Sequence, residues 1–131
     1  MSSIAVLWFE NQDKASLNDY HWSLFITPPD TETGTKYDVF YVGNEQWTRS
    51  YSPDFNLPET PDLGGRFFLG NVDSEKFMEI MLETALPGQG ENCQSWVRKV
   101  VQKAVQKRVL PANVVRTVAN IPIRPSEGIH Q

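Results

Sequence analysis

Up to residue 72 the apolar residues of this chain come in short runs rich in aromatic and β-branched side chains, and from residue 73 to 110 they recur at helical spacing. This change of period constrains the fold more than any other feature, because a strand pattern wound into a helix scatters its apolar residues around the axis. The runs Ile4–Phe9, Tyr20–Thr27, Tyr37–Val42, Gln46–Ser52 and Arg66–Val72 are separated by turn residues. They predict about five antiparallel strands. "DSEKFMEIMLETAL" offers a cap at Asp73 or Ser74, carries apolar residues at Phe77, Met78, Met81, Leu82 and Leu86, and stops before Pro87. It reads as a helix. Residues 53–65, "PDFNLPETPDLGG", hold three prolines and two glycines and read as a loop inside a domain. After Pro111 the periodicity is weak and Pro122 and Pro125 interrupt it. Residues 112–131 are therefore expected to form a C-terminal strand, arm or tail on a single domain spanning 1–131.

With 131 residues, 40% of them hydrophobic, the chain has enough apolar surface for one core and too little for two. Its net charge of −4 supplies no positive field, which disfavours nucleic acid or anionic lipid as partners. One cysteine and two distant histidines make neither an internal disulfide nor a zinc ligand set, so no metal or cofactor is expected. The N-terminus has no basic segment and an apolar run of only six residues, which predicts no signal peptide, no integral membrane segment and a cytoplasmic location.

The cysteine stands in "GQGENCQSWVRKVVQKAVQKRV", Gly88 to Val109. Asn92 is a good N-cap, and Trp96, Val97, Val100, Val101, Ala104 and Val105 form one stripe. Cys93 falls on the core side of this helix, at its positive end. A lone cysteine there has two readings, a packed apolar residue or a nucleophile. For the nucleophile, the helix terminus favours the thiolate, and first-turn amides with Asn92 or Gln94 would hold an oxyanion. Arg98, Lys99, Lys103 and Lys107 on the other face read as an ordinary solvated surface.

A thiolate needs a base. His130 is next to the C-terminus, so His21 is the candidate, sharing one strand face with Ser23 and Phe25 while Trp22, Leu24 and Ile26 take the other. If Pro28–Thr31 is the turn, Thr27 pairs with Glu32 and Asp38 lies opposite His21, where a carboxylate would orient the imidazole. If the loop runs from Pro28 to Thr35, His21 faces Val42, Asp38 moves about 13 Å along the strand, and Asn44 takes its place. The prolines at 28 and 29 favour the earlier turn. Trp22, Tyr37, Trp47 and Tyr51 are candidates to line an apolar substrate cleft, shared with the core.

The order of histidine on one strand, a polar residue on the next, and "NC" with an aromatic three positions on at a helix start resembles the circularly permuted papain-like fold of lecithin retinol acyltransferase and NlpC-type proteins. More closely, "YHWSLFITPP", the glycine then "YDV", the tryptophan of "EQWTRSY", "FFLGNV" and "CQSWV" resemble small uncharacterised fungal proteins with an HW...G...C..W pattern, over about Ile4 to Leu110. The resemblance implies Cys93 as nucleophile, His21 as base and Asp38 as orienter, a position where many of those relatives carry histidine. The expected fold is α+β, an antiparallel sheet with the Cys93 helix packed on it. The expected function is a small cysteine-dependent enzyme acting on an acyl, amide or ester group of a small molecule, as hydrolase, acyltransferase or cyclase, in fungal small-molecule biosynthesis. The competing expectations are a noncatalytic small-molecule-binding module of the same fold, and a scaffold that dimerises through a strand edge.

Overall fold

The computed structural model describes residues 1–12 and 19–125; His130 lies outside them. Five strands, β1 (Ser2–Gln12), β2 (Tyr20–Thr27), β3 (Thr33–Gly43), β4 (Gln46–Asn56) and β5 (Leu63–Val72), are followed by α1 (Ser74–Glu83), α2 (Cys93–Gln106) and α3 (Val114–Ala119). The strands form one antiparallel sheet in the order β4-β3-β2-β1-β5. The protein is α+β, with the cysteine-bearing helix packed on the sheet.

β1 and β2 lie inside the sheet and are buried on both faces: Ile4 to Leu7 and Trp22 to Ile26 are all under a tenth exposed. This explains why "IAVLW" is a continuous apolar run and not an alternating one. On one face Ile4, Val6, Trp22, Leu24 and Ile26 meet Trp96, Val97, Val100 and Ala104 of α2 and Phe77, Ile80 and Met81 of α1. On the other face a smaller cluster of Leu7, Phe9, Phe25 and Leu57 is flanked by Phe55 and Leu63.

Two expectations are corrected. The loop of residues 53–65 shrinks to residues 57–62, because β4 runs on through Pro53 and β5 begins at Leu63. β4 is an edge strand, where a proline costs no ladder bond if its missing N–H faces outward. Gly64 and Gly65 belong to β5 since they lie against Trp8; a Cβ on Gly64 would come within 2.4 Å of its ring. Residues 114–119 are helical, and Val114, Val118 and Ile121 are buried in the core, so residues 112–121 are neither strand nor arm, while 126–131 lie outside the described residues.

The β2–β3 register matches neither expected alignment. Leu24 pairs with Tyr37, Phe25 with Lys36 and Ile26 with Thr35, halfway between the two. Pro29 holds Pro28 out of the helical region, so the chain turns a step later, at Pro29 and Asp30, with Asp30 at φ 63°. Continued along the strands, this alignment brings His21 level with Phe40, and the two rings stack at 5.2 Å.

At the far end of β2, the segment after α3 folds back. Tyr20 N donates to Ile123 O at 2.8 Å, and Trp22 Nε1 donates to Pro122 O at 2.9 Å.

Candidate functional site

Cys93 is the first residue of α2 and is wholly buried. It packs in the helix-side core with Trp22, Leu24 and Trp96, and its Sγ lies 4.0 Å from the Tyr20 carbonyl oxygen. His21 leaves β2 on the opposite side, against Phe9 and Phe40. Successive strand residues face opposite ways, so the sheet stands between thiol and imidazole. The expected Cys93–His21 pair is therefore not assembled. The oxyanion roles expected of Asn92 and Gln94 are likewise replaced by structural ones. Asn92 Oδ1 accepts from Gln94 N at 2.9 Å and Ser95 N at 3.2 Å, capping the helix, while its Nδ2 donates to Asp19. Gln94 Nε2 donates to Tyr20 O at 2.9 Å and Ile123 O at 2.8 Å.

The other half of the expected constellation is present. His21 Nε2 lies 2.8 Å from Asp38 Oδ1, and Asp38, at two residues' offset from the level position, reaches it diagonally across the strands. Ser23 Oγ donates to the same carboxylate oxygen, and Lys36 Nζ pairs with Oδ2. Lys36 also sits near the faces of Phe9, Phe40 and Phe55. Burial by itself raises the Asp38 pKa, but the His21 hydrogen bond and the Lys36 charge outweigh it and hold the carboxyl below its ordinary value. Asn44, at φ 53°, lies in the turn after β3 and has no part in this cluster. A buried carboxylate with three donors is satisfied from within the chain, which is how a buried charge is made tolerable.

A cleft of about 540 Å³ opens between the β3–β4 hairpin and the helices. Tyr37, Tyr51, Met78, Met81, Leu82 and Trp96 line it, with Arg49 at β4. Asp38 and Ser50 also border it, although the Asp38 carboxylate is engaged on the other face of the sheet. The indole Nε1–H of Trp96 is buried without a hydrogen-bond partner, the one such side-chain atom among the described residues. Burial, then the charge of Tyr51, raises the pKa of Tyr37.

Of the aromatic residues expected to line a cleft, Tyr37 and Tyr51 do so. Trp22 is core, with the Arg98 guanidinium over its ring at 4.8 Å. Trp47 packs on Tyr41 at 5.5 Å, beside a separate hollow. The basic face of α2 is also engaged: Lys99 pairs with Glu91, and Lys103 and Lys107 hold Glu83. The cleft residues the sequence did not assign to a site were Arg49, Ser50, Met78, Met81, Leu82 and Trp96. A signal existed in α1, whose apolar positions 77, 78, 81 and 82 make a stripe wider than the core uses, leaving Met78 and Leu82 exposed.

Among the described residues no group of three or more His, Cys, Asp or Glu side chains could hold a metal ion, and no helix is long and apolar enough to cross a membrane. The fold and cleft define a small α+β domain with an apolar hollow beside an edge hairpin. A family model described as a family of unknown function, DUF6540, matches residues 7–111, and the chain belongs to that family. No curated protein and no solved structure matches the chain.

Proposed function

We propose that this protein binds a small, largely apolar molecule in the cleft between the β3–β4 hairpin and the helices α1 and α2. The observation that carries this reading is a hollow of about 540 Å³ lined by two tyrosines, two methionines, a leucine and Trp96, whose indole N–H is buried unpaired. Ligand sites are concave, mostly apolar and fitted with a few polar groups, in volumes of roughly 300–1,000 Å³. Methionines suit such a site because their flexible chains repack around a guest. A cysteine-dependent reaction has weaker support, because Cys93 is wholly buried and His21 is engaged by Asp38 on the other side of the sheet.

The test is titration with phenylnaphthylamine, an uncharged dye that fluoresces in apolar surroundings. Saturable, one-to-one binding is expected, and Leu82→Glu should weaken it about tenfold or more, by placing a charge at the mouth of an apolar site. Leu82 is 67% exposed, so the substitution leaves the core intact. Absence of saturable binding, or binding unchanged in Leu82→Glu, would overturn the reading.

A further inference from the structure

We infer that the ligand of this cleft is an amphipathic organic anion, an apolar or aromatic body carrying one carboxylate or sulfonate-like group. The inference rests on the cleft being a binding site and adds the charge of what it binds. Its basis is Arg49. The Nη2 group donates to Leu82 O at 3.2 Å and to Thr84 O at 2.8 Å, the main-chain carbonyls at the end of α1. These bonds fix the guanidinium at the cleft without neutralising it. Among the described residues no carboxylate forms an ion pair with Arg49. Both bonds run through Nη2, which leaves Nε–H and Nη1–H2 as single donors beside a charge that no described carboxylate pairs.

The other polar groups of the lining do not oppose an anion: the hydroxyls of Tyr37, Ser50 and Tyr51 can donate to one. The one acidic side chain on the wall, Asp38, is held by His21, Ser23 and Lys36 on the far face. A cationic guest would thus meet a fixed positive charge and no available carboxylate, while an anion meets that charge with single N–H and hydroxyl donors beside it. The chain as a whole carries a net charge of −4, so attraction for an anion must come from a local group, and Arg49 is that group here. Because the guanidinium is already held in place, little ordering is lost when a ligand docks.

The experiment compares two dyes with the same aromatic body, anilinonaphthalene sulfonate and uncharged phenylnaphthylamine, on the full chain. Arg49→Gln should weaken the sulfonate about tenfold, as expected for loss of a hydrogen bond to a charged group, and leave phenylnaphthylamine within about twofold. Arg49→Lys should restore part of the sulfonate affinity. Should Arg49→Gln fail to fold, the wild-type protein answers alone. Raising salt to about 0.5 M screens exposed charge and should weaken the sulfonate and not its parent. If Arg49→Gln affects both dyes equally, or neither, or if salt does not separate them, the anion inference falls while the cleft reading stands. If neither dye binds the wild type, the cleft reading falls and takes this inference with it.

Discussion

The two faces of the sheet treat polar groups in opposite ways. On the face away from the helices Asp38 is matched by His21, Ser23 and Lys36, and its charge is settled within the chain. On the helix face Trp96 keeps a buried N–H unmatched, and Arg49 spends its bonds on neutral carbonyls. A histidine bonded to a carboxylate looks more like chemistry than a tryptophan and an arginine do. Yet a satisfied network stabilises a fold, whereas an arginine beside a hollow, its charge unpaired by any described carboxylate, has something left to give.

The largest test of this contrast is the thiol. If Cys93 belongs to the closed core, iodoacetamide should modify the native protein roughly 10³-fold or more slower than the unfolded chain, since exposure requires opening of the domain. Fast alkylation near neutral pH, slowed by His21→Ala, would break the contrast and restore a cysteine–histidine reaction centre. Next comes the buried carboxylate. Asp38→Ala leaves Lys36 and His21 without their partner and should cost about 3–5 kcal/mol in urea unfolding, as breaking a buried pair does. The wild type should also lose stability in acid. The folded Asp38 pKa lies below its ordinary value, so the unfolded chain takes up its proton first; the contribution is complete above about pH 4–5 and is lost as pH falls through the lowered folded value. Asp38→Ala should flatten that part of the profile, and an unchanged profile would mean the charge is not settled as described. The smallest effect is expected at Asn92, the cap of α2. Asn92→Ala should lower stability by about 1 kcal/mol without altering dye binding in the cleft, and a larger loss of binding would place the helix terminus in the site.

How much of this was legible varies residue by residue. The strands were legible because aromatic and β-branched runs between turn residues admit few other folds, and α2 because Asn92 and the Trp96–Ala104 stripe mark its start and its buried face. The His21–Asp38 contact was legible even though the register was displaced by two residues, since a diagonal neighbour, though farther away than the one opposite, stays within reach of an aromatic ring such as imidazole. Which face meets α2 was the harder question. The alternation of Trp22, Leu24 and Ile26 against His21, Ser23 and Phe25 already held the answer: the stripe of α2 seeks the more apolar face, and that leaves His21 behind the sheet. The cleft was legible only in part: Tyr37 and Tyr51 were expected to line one and the wide stripe of α1 was a signal, but that Arg49, Tyr51 and Leu82 meet there depends on the docking of α1 on the hairpin, a long-range event. Helix α3 was not legible, because its six residues are too few for a period to declare itself.

The bonds from Pro122 and Ile123 to the start of β2 carry a consequence for the order in which the molecule assembles. The Trp22 indole is bonded to a carbonyl a hundred positions later in the chain. While the chain is being synthesised, hairpins can pair as they emerge, but the indole of Trp22 and the amide of Tyr20 must wait until residue 123 has left the ribosome. Closing so long a loop is slow because its entropy is lost before the contact rewards it. The last native bonds to form at β2 therefore lie beside Cys93 and the start of α2, and a chain stalled just short of Pro122 would hold a paired sheet with that corner still open to water.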